Sequence, residues 1–365
     1  MQTSQATHVV VGISGGVDSA VAAALLKDQG LQVTGLFMKN WEEDDDAAYC
    51  GAAEDLAVAE TVCAQLGVRL HTVNFSHEYW ERVFAVFLRE YRSGRTPNPD
   101  VLCNKEIKFR EFLDYAEHLG ADAIATGHYA RRETRGGLPT LCKGVDQEKD
   151  QSYFLYSVSP EALSKTLFPL GQLTKTEVRQ RARDLGLQNS ERKDSTGICF
   201  IGERRFKDFL SRYLPNEPGR IETPAGAFIG EHDGLWFYTL GQRQGLDIGG
   251  PGEAWYVSGK DVARNVLEVV QGHDHPALMC KTLRAVEPEW LTGDLPTTPL
   301  TCHAKTRYRQ DDQSCVVTQA SHDTIDIEFE VPQRAATPGQ ALVLYHGDRV
   351  LGGGTIDQID CPIDE

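Results

Sequence analysis

The sequence predicts an α/β protein: a parallel-sheet domain over residues 1–213, then a small central β domain over 214–279 and a C-terminal β-barrel domain over 280–365. Three observations predict it. Strand and helix signals alternate over residues 8–128. A glycine-rich turn joins the first strand to the first helix. After residue 214, glycine and proline become frequent between short β-branched runs. A chain of 365 residues is also too long for one ordinary core.

The elements follow in order. "HVVVGI" (His8 to Ile13) is a short β-branched apolar run, as a buried parallel strand requires. Ser19 to Gln29 carries Val21, Ala24 and Leu25 at helical spacing and stops at Gly30. "LQVTGLFM" (Leu31 to Met38) reads as a second strand, Ala52 to Leu66 as a helix and "VRLHTVNF" as a third strand. Ser76 to Arg92 has Tyr79, Val83, Val86 and Phe87 at helical spacing. A helix over Ile107 to Leu119 precedes a fourth strand, Ala121 to His128. Such alternation gives a parallel sheet with helices on both faces, and ligands bind at the carboxyl ends of its strands. Ser159 to Tyr213 reads as mostly helical, and "LPNEPGRI" as a linker. "GLWFYTL", "AWYVSGK" and "NVLEVVQG", then "LTCHAKTRYRQ", "SCVVTQA", "TIDIEFEV" and "QALVLYHG", read as strands of small barrels or sandwiches.

Composition narrows the class. The chain is 41% hydrophobic and 25% charged, and no stretch approaches the roughly 20 apolar residues of a membrane helix. The N-terminus lacks the basic region of a signal peptide, so a cytoplasmic location without membrane association is expected. Nine scattered cysteines then default to thiols. A net charge of −16 argues against a nucleic-acid partner unless a basic face is local. Basic clusters exist: Arg131, Arg132, Arg135, Lys143 and Lys149; Arg179, Arg181 and Arg183; and Arg307 and Arg309 flanking Tyr308. The acidic run "WEEDDD" (Trp41 to Asp46) reads as a solvated loop. No histidine spacing indicates a protein-ligated metal.

Two segments carry chemistry. In "VVVGISGGVDSA", glycines let backbone approach a ligand, and successive N–H groups before a helix form an anion cradle. The pattern is neither GxxxxGK[ST] nor G-x-G-x-x-G. In "RKDSTGICFIGERRFKDFL", Cys199 has Arg192, Lys193, Arg204 and Arg205 close in sequence, a field that would favour a thiolate. In "NPDVLCNK", Cys103 follows a proline-stiffened turn and has Lys105 and Lys108 nearby. On spacing alone, two buried structural cysteines remain as good a reading.

SGGxDS resembles the pyrophosphate loop of the N-type ATP pyrophosphatases, whose fold is adenine nucleotide alpha hydrolase-like. Further, "SGGVDS", "MKNW", "TPNPDVLCNKEIKF", "ATGHYA", "KDQSYFL", "DSTGICFIGER" and "TLGQRQGLDIGG" stand in the order and spacing of the bacterial tRNA-specific 2-thiouridylases. That resemblance implies ATP-dependent sulfur transfer to the wobble uridine of Lys, Glu and Gln tRNAs. It implies that Gly12, Ile13, Ser14, Gly15, Gly16, Val17, Asp18 and Ser19, with Met38 and Gly127, bind ATP with Mg²⁺. Asn98, Pro99 and Asp100 would hold the target base, with Asp100 a candidate acid or base whose other reading is a turn-capping carboxylate. Cys199 would carry a persulfide and Cys103 would be its nucleophilic partner, passing through a transient Cys103–Cys199 disulfide. His128, Lys149, Asp150, Gln151, Arg307, Tyr308 and Gln340 would touch tRNA. A persulfide relay protein and a cysteine desulfurase would stand upstream.

Two other readings compete: an amide- or C–N-forming ATP ligase using the same loop, and a non-catalytic nucleotide-regulated RNA-binding protein. The paired cysteine segments argue against both. If the last domain is a separate tRNA-binding unit, its removal should weaken tRNA binding and leave ATP binding intact.

Overall fold

The computed structural model describes residues 7–42, 51–194 and 206–360. Strands β1 (His8–Gly12), β2 (Gln32–Lys39), β3 (Arg69–Asn74), β4 (Ala123–Ala125) and β7 (Thr166–Leu167) form a parallel sheet in the order β3-β2-β1-β4-β7. β1 lies at its centre, with Val9, Val10 and Val11 fully buried, which explains why its sequence is apolar without alternation. Helix α1 (Val17–Asp28) leaves the sheet at the carboxyl end of β1, and α2 (Gly51–Leu66) leads into β3.

Two longer helices cover the other side. Helix α3 spans 76–92, as Ser76–Tyr79, a π-helical turn Trp80–Phe84 and Ala85–Arg92. Helix α4 spans 99–118, as Pro99–Cys103, a π-helical stretch Asn104–Glu111 and Phe112–His118. Hence α4 starts eight residues before the expected Ile107. The Asn98 side chain accepts a hydrogen bond from Val101 N, and Pro99 occupies the first helical position. That pairing is a helix start, because proline's missing N–H is no loss there and its fixed φ suits a helix. Cys103, read from the sequence as following a proline-stiffened turn before the helix, therefore lies within the helix itself.

Between β4 and β7 run a hairpin, β5 (Ala130–Arg135) and β6 (Leu138–Lys143), and short helix α5 (Pro160–Ser164). Among the described residues, the segment after 159 is less helical than expected: it contributes β7 to the sheet, then α6 (Lys175–Asp184) and α7 (Phe206–Leu210). β8 (Gly219–Glu222), β9 (Phe228–His232), β10 (Trp255–Asp261) and β11 (Val266–Gln271) make a four-stranded sheet ordered β10-β11-β8-β9.

In the last part, β12 (Met279–Trp290), β15 (Thr324–Arg334), β14 (Gln313–Ala320), β13 (Leu300–Lys305), β16 (Ala341–His346) and β17 (Arg349–Asp360) follow one another, and β17 pairs back onto β12. Closure removes the exposed edges of an open sheet. The β5–β6 hairpin joins this sheet through β17, with Lys143 N donating to Asp348 O at 2.8 Å. The first part of the chain thus lends two strands to the last. One hydrophobic core spans both, joining Val10, Leu36, Phe112 and Ile124 to Leu291, Ala341, Val343, Tyr345 and Val350.

Candidate active site

The loop Ser14–Ser19 stands at the carboxyl end of β1 and is ordered by its own hydroxyls. Ser19 Oγ accepts from Ser14 N (3.2 Å) and donates to Gly16 O (3.1 Å). Gly15 has φ +76°, and a Cβ there would lie 2.7 Å from Asp55 O. Only glycine fits such a conformation so close to another backbone. Gly127 approaches from β4: a Cβ on it would fall 2.9 Å from Asp18 C and Ser19 N. A Cβ on Gly12 would meet the Met38 methyl at 3.5 Å and the Phe112 ring at 3.3 Å. Gly12–Ser19, Met38 and Gly127 are therefore brought together, and Phe112 of α4 closes that wall.

Cations gather over the loop. Lys175 Nζ donates to both carboxylate oxygens of Asp18 at 2.8 Å and pairs with Asp194 at 2.7 Å. Tyr129 donates its hydroxyl to Asp18 at 2.8 Å. Arg192 pairs with Asp55 and donates to Gly15 O at 3.3 Å, while Asn189 Nδ2 donates to Gly15 O at 2.9 Å. Asn189 Oδ1 is buried with no partner. Lys149 and Arg179 also pair with Asp194 (2.8 and 2.7 Å). Partial burial works against the Asp194 carboxylate, but Lys149 and Lys175 more than offset it and hold its pKa at about 2. Sequence reasoning missed Lys175 and Asn189, and it assigned Arg192 to the field of Cys199. A signal existed for Lys175: it is the first helical residue, inside the Thr174–Glu177 capping box, and a cation in the first turn of a helix opposes the dipole unless an anion faces it.

Asn98 and Asp100 are half-buried and Pro99 is buried at the start of α4. Cys103 is fully buried among Trp41, Tyr79, Phe84, Phe87, Ile107, Phe209 and Leu214. Phe84 holds that cluster together, 4.9 Å from Trp41, 4.8 Å from Tyr213 and 5.7 Å from Phe209. Met38 packs against the same cluster and also against the core containing Phe112. The Ser14–Ser19 loop and the Asn98–Cys103 turn of α4 thus share a wall. Cys199 lies outside the described residues, as do Arg204 and Arg205, so its pairing with Cys103 stays an expectation.

The residues expected to meet tRNA fall into two groups. Near the loop, His128 Nδ1 is 2.8 Å from Thr126 Oγ1, and burial, with Lys108 nearby, pushes its pKa down to about 3. The imidazole is neutral in the fold, so acid below its ordinary 6.5 favours unfolding at this site. Gln151 exchanges hydrogen bonds with Tyr129 through both backbone and side chain. Asp150 is turned inward: its carboxylate accepts from Gly144 N (2.9 Å), Ser152 N (3.2 Å) and Ser152 Oγ (2.8 Å), although burial raises its pKa. The structure gives Asp150 the role of shaping the 144–152 loop. On the barrel, Arg307 is exposed and Tyr308 packs 4.4 Å from Phe154, just beyond Lys149–Gln151 in sequence. Gln340 sits behind the Asn98 turn, donating to Thr96 O (2.8 Å) and Pro97 O (3.3 Å).

Among the described residues, Glu133, Cys142 and Asp348 lie close enough to hold a metal ion. Arg131 and Arg135 each pair with both carboxylates, so the group is already charge-compensated. No helix of the described chain is long and apolar enough to cross a membrane.

Comparison with known proteins divides the chain in three. Residues 7–203 match a family described as the tRNA methyl transferase HUP domain, residues 207–271 its PRC-barrel domain and residues 280–356 an aminomethyltransferase beta-barrel domain. The chain is similar to the tRNA-specific 2-thiouridylase MnmA of Methylococcus capsulatus, 62% identical over 356 residues and 96% of each chain. It is 57% identical to that of Tolumonas auensis, over 98% of each chain. A 4-thiouridine synthetase solved with RNA and ATP aligns over 56% of this chain and 49% of its own, at 20% identity and a TM-score of 0.34.

Proposed function

The chain belongs to the tRNA-specific 2-thiouridylase family, a family of sulfurtransferases, and on that premise we propose that it makes 2-thiouridine at the wobble position of Lys, Glu and Gln tRNAs. The observation that carries the reading is identity of 62% over 96% of both chains. The shared wall of Met38, Gly12 and Phe112 supports it, because the chemistry needs a nucleotide beside a base.

ATP lies on the Gly12–Ser19 loop with its adenine toward Met38. Its phosphates take the loop N–H groups and draw Lys175 and Arg192 from their carboxylate partners. Asp18 and Asp194 are the carboxylates that suit Mg²⁺, which would be held largely by phosphate oxygens and water. When bound, it offsets phosphate charge. The base leaves its stack, at small cost in an anticodon loop, and is held by Asn98, Pro99 and Asp100. Its C2 oxygen attacks the α-phosphorus and pyrophosphate leaves. An amide-like oxygen is a poor leaving group, and as AMP it becomes a good one. The terminal sulfur of a Cys199 persulfide then attacks C2, and AMP departs. Cys103 attacks the inner sulfur, releasing 2-thiouridine and leaving a Cys103–Cys199 disulfide, which external thiols reduce. In a variant sequence Cys103 attacks the inner sulfur of the Cys199 persulfide first, forming the Cys103–Cys199 disulfide and freeing hydrosulfide, which then attacks C2 and displaces AMP. Cys103 is fully buried here, so the reading requires that substrate or sulfur donor open its cluster. A desulfurase-fed persulfide relay supplies the sulfur.

The test is reconstitution with Mg-ATP, a persulfide donor and unmodified tRNA-Glu transcript, with thiolated tRNA detected by retardation in a mercury-containing gel. Wild type should give ATP-dependent retardation, and Cys103→Ser and Cys199→Ser should abolish it. Activity surviving Cys103→Ser would overturn the nucleophile's role. AMP release without thiolation, on carboxylate and amine substrates, would favour the ligase.

A further inference from the structure

The three residues before the base-holding turn are fastened to the barrel at several points. Gln340 donates from one Nε2 to Thr96 O and Pro97 O. Thr96 N donates to Pro338 O at 2.9 Å. Gly339, at φ +94°, would place a Cβ 2.9 Å from the Thr96 backbone, so this approach needs glycine. Arg95 pairs with Asp357 and donates to Ile356 O at 2.9 Å, while its Nε lies 2.8 Å from Glu90 in the last turn of α3. The receiving groups are themselves joined: Gly339 N donates to Ile356 O and Ile356 N to Gln340 O, both at 2.8 Å. The 337–340 turn and the 356–357 stretch of β17 thus form one rigid seat.

We propose that Arg95 and Gln340 are positioning residues for thiolation: through them the C-terminal barrel fixes where the Asn98–Asp100 turn presents the base to the nucleotide and to Cys103. The inference rests on the functional reading above. Two features single out this contact from ordinary adhesion between domains. It grips main-chain atoms of Thr96 and Pro97, whose placement sets that of residue 98 directly. It also ties the same segment to α3 through Glu90, so the turn is located against α3 and the barrel at once. Small displacements of a reacting group cost far more in rate than in binding.

The experiment uses the full chain as wild type, Arg95→Met, Arg95→Lys and Gln340→Met. Methionine matches the length of glutamine and the apolar stem of arginine, without the donors of either. Single-turnover thiolation is measured at saturating ATP and tRNA-Glu transcript, with tRNA Kd and melting temperature alongside. The expected result is a rate constant lower by about tenfold to a hundredfold in both methionine variants, with Kd changed by less than about twofold and partial recovery in Arg95→Lys. A raised Kd with an unchanged saturating rate would make Gln340 a tRNA contact and overturn the proposal. So would unchanged rates, or rate losses that match the loss of folded protein. Absence of thiolation by wild type would instead defeat the functional reading.

Discussion

Lys175 supplies the positive charge that the Ser14–Ser19 loop lacks. Ser14–Ser19 contains one charged side chain, Asp18, which would repel a triphosphate. In the fold Lys175 neutralises it, and it has 12% side-chain exposure, low enough for its charge to be poorly screened. Lys175 stands between Asp18 and Asp194, and on the proposed ATP reading it would exchange carboxylate for phosphate. Lys175→Met is therefore expected to lower ATP-dependent pyrophosphate release by about 10²-fold or more, the scale of losing one charge-stabilising donor. Lys175→Arg should retain part of the rate, since it keeps the charge but not the compact ammonium. Release of radiolabelled pyrophosphate, measured with melting temperature as a control, checks this. Equal rates in wild type and Lys175→Met would confine Lys175 to holding α6 against the loop.

At the scale of elements, α4 joins two jobs in one helix start. Asn98 caps it and Pro99 opens it, and the same residues are those proposed to hold the base. The two jobs separate by substitution. Asn98→Ala removes the cap and should cost about 0.5–2 kcal/mol of stability. Asn98→Asp keeps an acceptor for Val101 N and should recover that stability in chemical denaturation. Thiolation should stay low in both, because a carboxylate cannot donate to a base. Full activity in Asn98→Asp would reduce Asn98 to a cap. This helix also shows where the sequence was legible and where it was not. β1, α1 and the glycine loop were readable because a buried strand, a tight turn and an apolar helix each constrain local residue type. "NPD" fits both a turn and a helix start, and only the packing of Val101 and Cys103 into two cores selects the second. β5, with "ARRETR", has little apolar character because it lies at the end of the barrel sheet, and nothing local announces that its hairpin partner β6 will join the distant β17. Lys175 and Asn189 reach the site only through long-range folding, across the 157 and 174 positions that separate them from Asp18 and Gly15.

For the whole molecule, the net charge of −16 and an RNA substrate are reconciled by where charge is spent. Several cations expected to serve tRNA are ion-paired: Lys149 and Arg179 with Asp194, and Arg131 and Arg135 with Asp348. On the proposed reading, tRNA would meet these charge-compensated residues beside the junction between barrel and sheet domain. That junction is a shared core, so the barrel is poorly described as a detachable module. Cutting the chain after residue 279 would strip Ala341, Val343, Tyr345 and Val350 from Leu141, Tyr153 and Tyr156 and leave the edge of β6 unpaired. Each large apolar side chain so exposed forfeits about 1.5–3 kcal/mol, and a handful of them equals the whole stability of a domain. It would also release residues 95–97 from their seat. The 1–279 chain is therefore expected to melt well below the full chain, by circular dichroism, and to bind ATP more weakly, by calorimetry, as well as losing tRNA. ATP binding and melting matching the full chain, with only tRNA affinity lost, would show the barrel to be an independent tRNA-binding unit after all. The shared core would then contribute far less than its burial implies.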